Sequence, residues 1–153
     1  MRSLSRQLLV VGLVTVASSS GSSAQGAPCS LLSAASLTGL LGSGSTSKAG
    51  PAGCLWAGGG KKLISAAYKV DGPQAEMMFG HARQASASDK KDVIADEPGI
   101  GDKAFSVRSS FGVAIIMLKK GRLLQLQYHT GARGTPADAA ALRPVAKQAI
   151  AAY

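Results

Sequence analysis

The chain holds only two cysteines and two histidines in 153 residues, and that scarcity removes most metal and redox chemistry from consideration. Cys29 and Cys54 are too few for a thiolate zinc site and form no C-x-x-C pair. His81 and His129 lack His-x-x-x-His spacing, so zinc would need carboxylates converging from distant segments; both read as surface histidines, His81 on a helix flank and His129 on a wet strand face. Acids are also few, eight against 17 Lys and Arg, for a formal charge of +9. Their one concentration, Asp92, Asp96 and Glu97, has no calcium-loop spacing and lies in a polar stretch, a poor setting for raising one carboxyl as a paired-acid hydrolase requires. Aromatics make up 5% and do not interleave with basic residues as base-stacking platforms do, so no nucleic acid is expected. The longest apolar run, Leu8–Ala17, is half of the ~20 residues that span a bilayer as a helix.

Catalytic and cofactor motifs are equally thin. A nucleophile-elbow G-x-S-x-G set between strand and helix is absent. Gly99-Ile100-Gly101-Asp102-Lys103-Ala104 has a loose dinucleotide spacing, but it opens a predicted strand where a helix is required, and it reads as a turn. Gly58-Gly59-Gly60-Lys61-Lys62 puts Leu55 and Lys62 where a phosphate loop needs Gly and Ser/Thr. No catalytic, cofactor or metal residue is assigned.

What is present starts at the first residue. Arg2 and Arg6, the apolar run and the small residues SSSGSSAQGA have the layout of a removable secretory signal, cleaved after Ala24 or Gly26. A lipid anchor needs a small residue before a cysteine close behind the apolar run; here Pro28 precedes Cys29, twelve residues past Ala17. The expectation is a secreted or periplasmic protein with no transmembrane segment after processing. In that compartment Cys29 and Cys54 read as a disulfide closing a loop of about 26 residues, a constraint of roughly 3.5 kcal/mol from loop-closure entropy. Residues 1–24 form the signal and 25–153 one domain, with a charge of +7 once Arg2 and Arg6 are lost.

Within the domain, Ser33 is a predicted N-cap for a short helix bearing Leu37, Leu40 and Leu41 and ended by Gly42. Residues 42–53 are a flexible Gly/Ser loop by composition. Strands follow at Cys54–Ala57 and Leu63–Val70, the second with Ile64, Ala66, Tyr68 and Val70 expected inward. Pro73 opens a helix with Ala75, Met78, Phe79 and Ala82 on one stripe. Residues 86–98 read as polar connection. A strand over Lys103–Arg108 precedes a hairpin, Val113–Leu118 and Leu123–His129, whose tip is basic. Thr135, Pro136 and Asp138 form a capping box for a final helix in which Pro144 predicts a kink or split. The fold class expected is α+β: an antiparallel sheet of about four to five strands, helices packed on one face, one disulfide.

Lys61-Lys62, Lys90-Lys91 and Lys119-Lys120-Arg122 all fall at predicted turns. They serve solubility if dispersed, or bind an anionic envelope polymer if gathered; Lys119, Lys120 and Arg122 are the candidate anion-binding residues. The function expected is a non-catalytic extracytoplasmic binding or accessory module using a sheet face or the hairpin tip. The alternatives are an extracytoplasmic enzyme assembled from scattered residues such as His81 and Asp102, and a periplasmic inhibitor of a hydrolase, whose commonly cationic targets this charge would repel.

The set Pro28-Cys29-Ser30-Leu31-Leu32, Cys54-Leu55-Trp56 and Gly99-Ile100-Gly101-Asp102-Lys103-Ala104-Phe105 resembles the small exported domains of unknown function found among actinobacterial lipoproteins. The likeness covers roughly residues 28–153 and implies an α+β fold with a Cys29–Cys54 bridge; it brings no catalytic residue.

Overall fold

The structure, a computed structural model, describes residues 29–51, 53–68, 70 and 72–153; the expected signal and its expected cleavage sites lie outside them. Seven strands form one antiparallel sheet: β1 (Thr46–Ala49), β2 (Cys54–Gly58), β3 (Lys61–Tyr68), β4 (Val93–Asp96), β5 (Lys103–Ser109), β6 (Gly112–Lys119) and β7 (Arg122–His129), in the order β1-β2-β3-β7-β6-β5-β4. Three helices accompany it, α1 (Ala34–Leu41), α2 (Gly72–Ser88) and α3 (Pro136–Ala152), after a single 3-10 turn at Cys29–Leu31. The antiparallel sheet and the disulfide match the sequence reading, and the strand count does not. The two additional strands, β1 and β4, are the sheet edges; every residue of β1 is exposed and only Ile94 of β4 is half-buried. Edge strands with no buried face carry no hydrophobic alternation to read.

The helices cover both faces of the sheet, not the one face expected. α1 and α3 pack on one face, over Trp56, Leu63, Val113, Ile115, Met117, Leu124 and Leu126. α2 packs on the opposite face, where Ala75 and Phe79 meet Phe105, Val107, Ile116, Leu118 and Leu123, with the Phe79 and Phe105 rings edge to face at 5.1 Å. Side chains alternate faces along a strand, so β6 feeds both cores, Ile115 and Met117 to one and Ile116 and Leu118 to the other. Val113–Leu118 is apolar without alternation for that reason.

The inward face of β3 is also the reverse of the expected one. Leu63, Ser65 and Ala67 are buried while Ile64, Ala66 and Tyr68 are half-buried. Ser65 tolerates burial because its hydroxyl accepts the Cys54 N–H at 2.9 Å and reaches the Cys54 carbonyl at 3.4 Å, continuing the β2–β3 pairing by side chain.

The disulfide joins Cys29 to Cys54 with Cα atoms 5.1 Å apart, fastening the first turn to β2. Trp56, 1% exposed, lies in the same core as Cys54. α1 starts at Ser33, whose hydroxyl accepts the Ser36 N–H, and the capping box at Thr135 and Asp138 is complete. Pro144 does not split α3: it lies exposed inside one continuous helix, with the opposite stripe, Leu142, Val145, Ala146 and Ala149, buried.

Candidate functional site

Antiparallel pairing sorts the turns into two groups, one at each end of the strands. At the hairpin end lie the β6–β7 turn, the start of β5, the end of β4 and the C-terminus of α3. At the loop end lie the β2–β3 turn, the β5–β6 turn, the entry to β4, and the segment from β7 to α3. Lys61-Lys62 and Lys90-Lys91 therefore share one end, and Lys119-Lys120-Arg122 occupies the other.

The hairpin tip is a two-residue turn, Lys119 pairing with Arg122, with φ positive at both Lys120 (49°) and Gly121 (72°). The Asp102 carboxylate accepts the Lys120 main-chain N–H at 2.7 Å and holds the turn. Helix α3 ends with carbonyls that lack intrahelical donors and has no basic residue in its last turn. The hairpin supplies them from 31 residues away: Lys119 Nζ donates to the Ile150 oxygen at 3.0 Å, and Arg122 to the Tyr153 main-chain oxygen at 2.6 Å. The Arg122 guanidinium also lies 5.7 Å from the centre of the Tyr153 ring. Burial raises the Tyr153 phenol pKa, and the Arg122 charge partly offsets that rise. Two of the three candidate anion-binding side chains thus serve as a C-cap for α3, complementing its dipole. The cleft between them and residues 151–153 is lined by Lys119, Lys120 and Arg122, of which Lys119 and Arg122 already donate to main-chain oxygens at the end of α3.

The hairpin end also gathers the ion pairs. Lys103 meets Glu76 at 2.7 Å and Arg83 meets Asp96 at 2.5 Å. Glu97, whose side chain is 3% exposed, takes two hydrogen bonds from Arg143, at 2.5 and 3.1 Å. Burial pushes the Glu97 pKa up, but the Arg143 and Ser106 hydrogen bonds together with the Arg143 charge outweigh it, and the pKa falls below its usual value. The same contact raises Arg143.

The loop end is organised differently. Gly112 (φ 141°) and Gly134 let three backbones converge there: a Cβ on Gly112 would stand 2.0 Å from the Tyr128 oxygen, and one on Gly134 2.1 Å from the Gly112 oxygen. That close approach fixes the Ser110-Phe111 turn with Phe111 70% exposed; Val93, at the entry to β4, is 41% exposed. Six cations lie at this end, Lys61, Lys62, Lys90, Lys91, Arg108 and Arg133, and among the described residues none forms an ion pair. Lys61 lies over the Tyr128 ring at 5.8 Å and Arg133 donates to the Lys91 carbonyl. Among the described residues the end carries three carboxylates: Asp138 is engaged in the capping box, Asp89 accepts the Lys91 N–H, and Asp92 is half-buried.

Beside Phe111 a groove of about 210 Å³ opens on the α2 face, where α2 no longer covers the sheet. Gln125, Gln127 and His129, every second residue of β7, form its floor, and Asp92 and Ser86 line it. His129 Nε2 is 3.3 Å from Gln127 Oε1, and Gln125 makes no side-chain hydrogen bond among the described residues. The groove offers amide and imidazole groups to a ligand but no nucleophile held by a base.

His81 is exposed on α2, Asp102 is occupied with the hairpin turn, and no hydrogen bond links the two. Among the described residues no three His, Cys, Asp or Glu side chains gather to hold a metal ion, and no helix is long and apolar enough to cross a membrane. The gathering of Phe111, Val93 and the six cations was missed by sequence reading; the signal available was an exposed aromatic in the turn Ser109-Ser110-Phe111-Gly112. Comparison with protein-family models, curated proteins and solved structures finds no match to this chain.

Proposed function

We propose that this protein is an extracytoplasmic, non-catalytic binding module that engages an anionic partner in the cell envelope through the loop end of its sheet. One observation carries the reading: six cations, none paired to a carboxylate among the described residues, share one end of the sheet with the exposed Phe111 and Val93. Cations left without counter-charges attract anionic surfaces in a salt-dependent way. The Cys29–Cys54 bridge is compatible with an oxidising extracytoplasmic space. Lys119 and Arg122, expected with Lys120 to bind an anion, already donate to main-chain oxygens at the end of α3, which favours the loop end for this role.

Retention on immobilised polyphosphate, eluted with salt, tests this. Lys90, Lys91, Arg108 and Arg133 changed together to Glu are expected to abolish retention at 0.15 M salt, while Lys120→Glu leaves most of it. Undiminished retention of the fourfold variant overturns the proposal.

A further inference from the structure

The loop end pairs its charge with exposed apolar side chains, which a purely electrostatic contact does not need. Phe111 is 70% exposed at the tip of a turn whose backbone packs closely against Tyr128 and Gly134, with the Gly134 N–H donating to the Ser109 oxygen at 2.9 Å. Val93, paired in register with Arg108, is 41% exposed at the same end. These are two of the three large apolar side chains the described residues expose; the third, Met77, is on α2. Lys90 and Lys91 precede Val93 in sequence, and Arg133 reaches across to the Lys91 carbonyl. An exposed aromatic tip at the same sheet end as unpaired Lys and Arg matches the interface of an anionic bilayer, where aromatic rings rest at headgroup depth and cations meet phosphate.

Resting on the reading above, we propose that the anionic partner is the surface of a phospholipid bilayer met end-on by the loop end of the sheet, with Phe111 inserted among the headgroups and Lys90, Lys91, Arg108 and Arg133 of the same end facing lipid phosphates. Insertion is shallow and reversible, since the apolar area offered is little more than one aromatic ring and one valine.

Flotation of the exported protein with vesicles of phosphatidylcholine containing 30% phosphatidylglycerol tests the proposal. Binding is expected at low salt, with at least tenfold less to pure phosphatidylcholine. Phe111→Ser is expected to lower the partition coefficient about tenfold without changing the melting temperature. The fourfold Glu variant is expected to lower it a hundredfold or more. A second variant reports insertion directly: Trp56, the only tryptophan, is buried, so in Phe111→Trp a blue shift on adding anionic vesicles comes from position 111. Binding that Phe111→Ser does not weaken, or binding of Phe111→Trp with no blue shift, overturns the bilayer proposal. Retention on polyphosphate with no flotation overturns it too and leaves the proposed function standing, whereas loss of both overturns the proposed function itself.

Discussion

At the hairpin end, Lys119 and Arg122 each give a donor to a main-chain oxygen near the end of α3, and Arg83, Lys103 and Arg143 meet carboxylates; at the loop end, Lys62, Lys90 and Arg108 reach no hydrogen-bond acceptor among the described residues. The residue types are alike and the surroundings differ. α3 runs from the loop end to the hairpin end, so its capped N-terminus lies at the first and its unsatisfied carbonyls at the second, next to the hairpin cations. A basic residue near a helix C-terminus is drawn into capping. A basic residue at a turn with no such neighbour stays available to a partner.

Substitutions at the two ends should separate stability from binding. The largest stability effect is expected from Cys29→Ser with Cys54→Ser, about 3.5 kcal/mol from the reopened loop plus the burial of a serine at position 54, read by denaturant unfolding. Glu97→Gln, also at the hairpin end, is expected to cost about 2 kcal/mol at pH 7. Its pH dependence has a definite sign. Glu97 has a lowered pKa when folded, so its contribution is fully present above the ordinary carboxylate pKa and is lost as pH falls through the lower folded value. Unfolding curves from pH 7 to 3 should therefore show the difference between native protein and variant shrinking only in the acid range. Lys119→Met with Arg122→Met is expected to cost about 1–2 kcal/mol through the lost helix capping, with vesicle and polyphosphate binding preserved. Phe111→Ser is the smallest in stability, within about 0.5 kcal/mol, while changing vesicle binding tenfold. Loss of binding in the Met pair, or loss of stability in Phe111→Ser, would break the contrast between the ends.

Five strands, three helices and the disulfide were legible because each leaves a local mark: paired apolar arms around Lys120-Gly121, caps at Ser33 and Thr135, and a single pair of cysteines. β1 and β4 were not, since four-residue edge strands with at most one half-buried side chain, Ile94 in β4, have the composition of a loop. The second core beneath α2 was half-visible in Val113–Leu118, whose unbroken apolar run demands cover on both faces. The inward face of β3 was misread because Ser65 and Ala67 are small and unremarkable in sequence, and their burial follows from pairing with Leu126 and Leu124. The three basic turns were each visible, but their grouping depends on strand direction and order.

The sequence by itself determined that this is an α+β chain with a single cysteine pair, an excess of positive charge and no recognisable catalytic motif, because composition, periodicity and caps are local properties. Only the tertiary structure decided which cations are occupied and which are available. That depends on α3 ending beside one set of turns and beginning beside the other, a relation between segments far apart in the chain that no local pattern encodes.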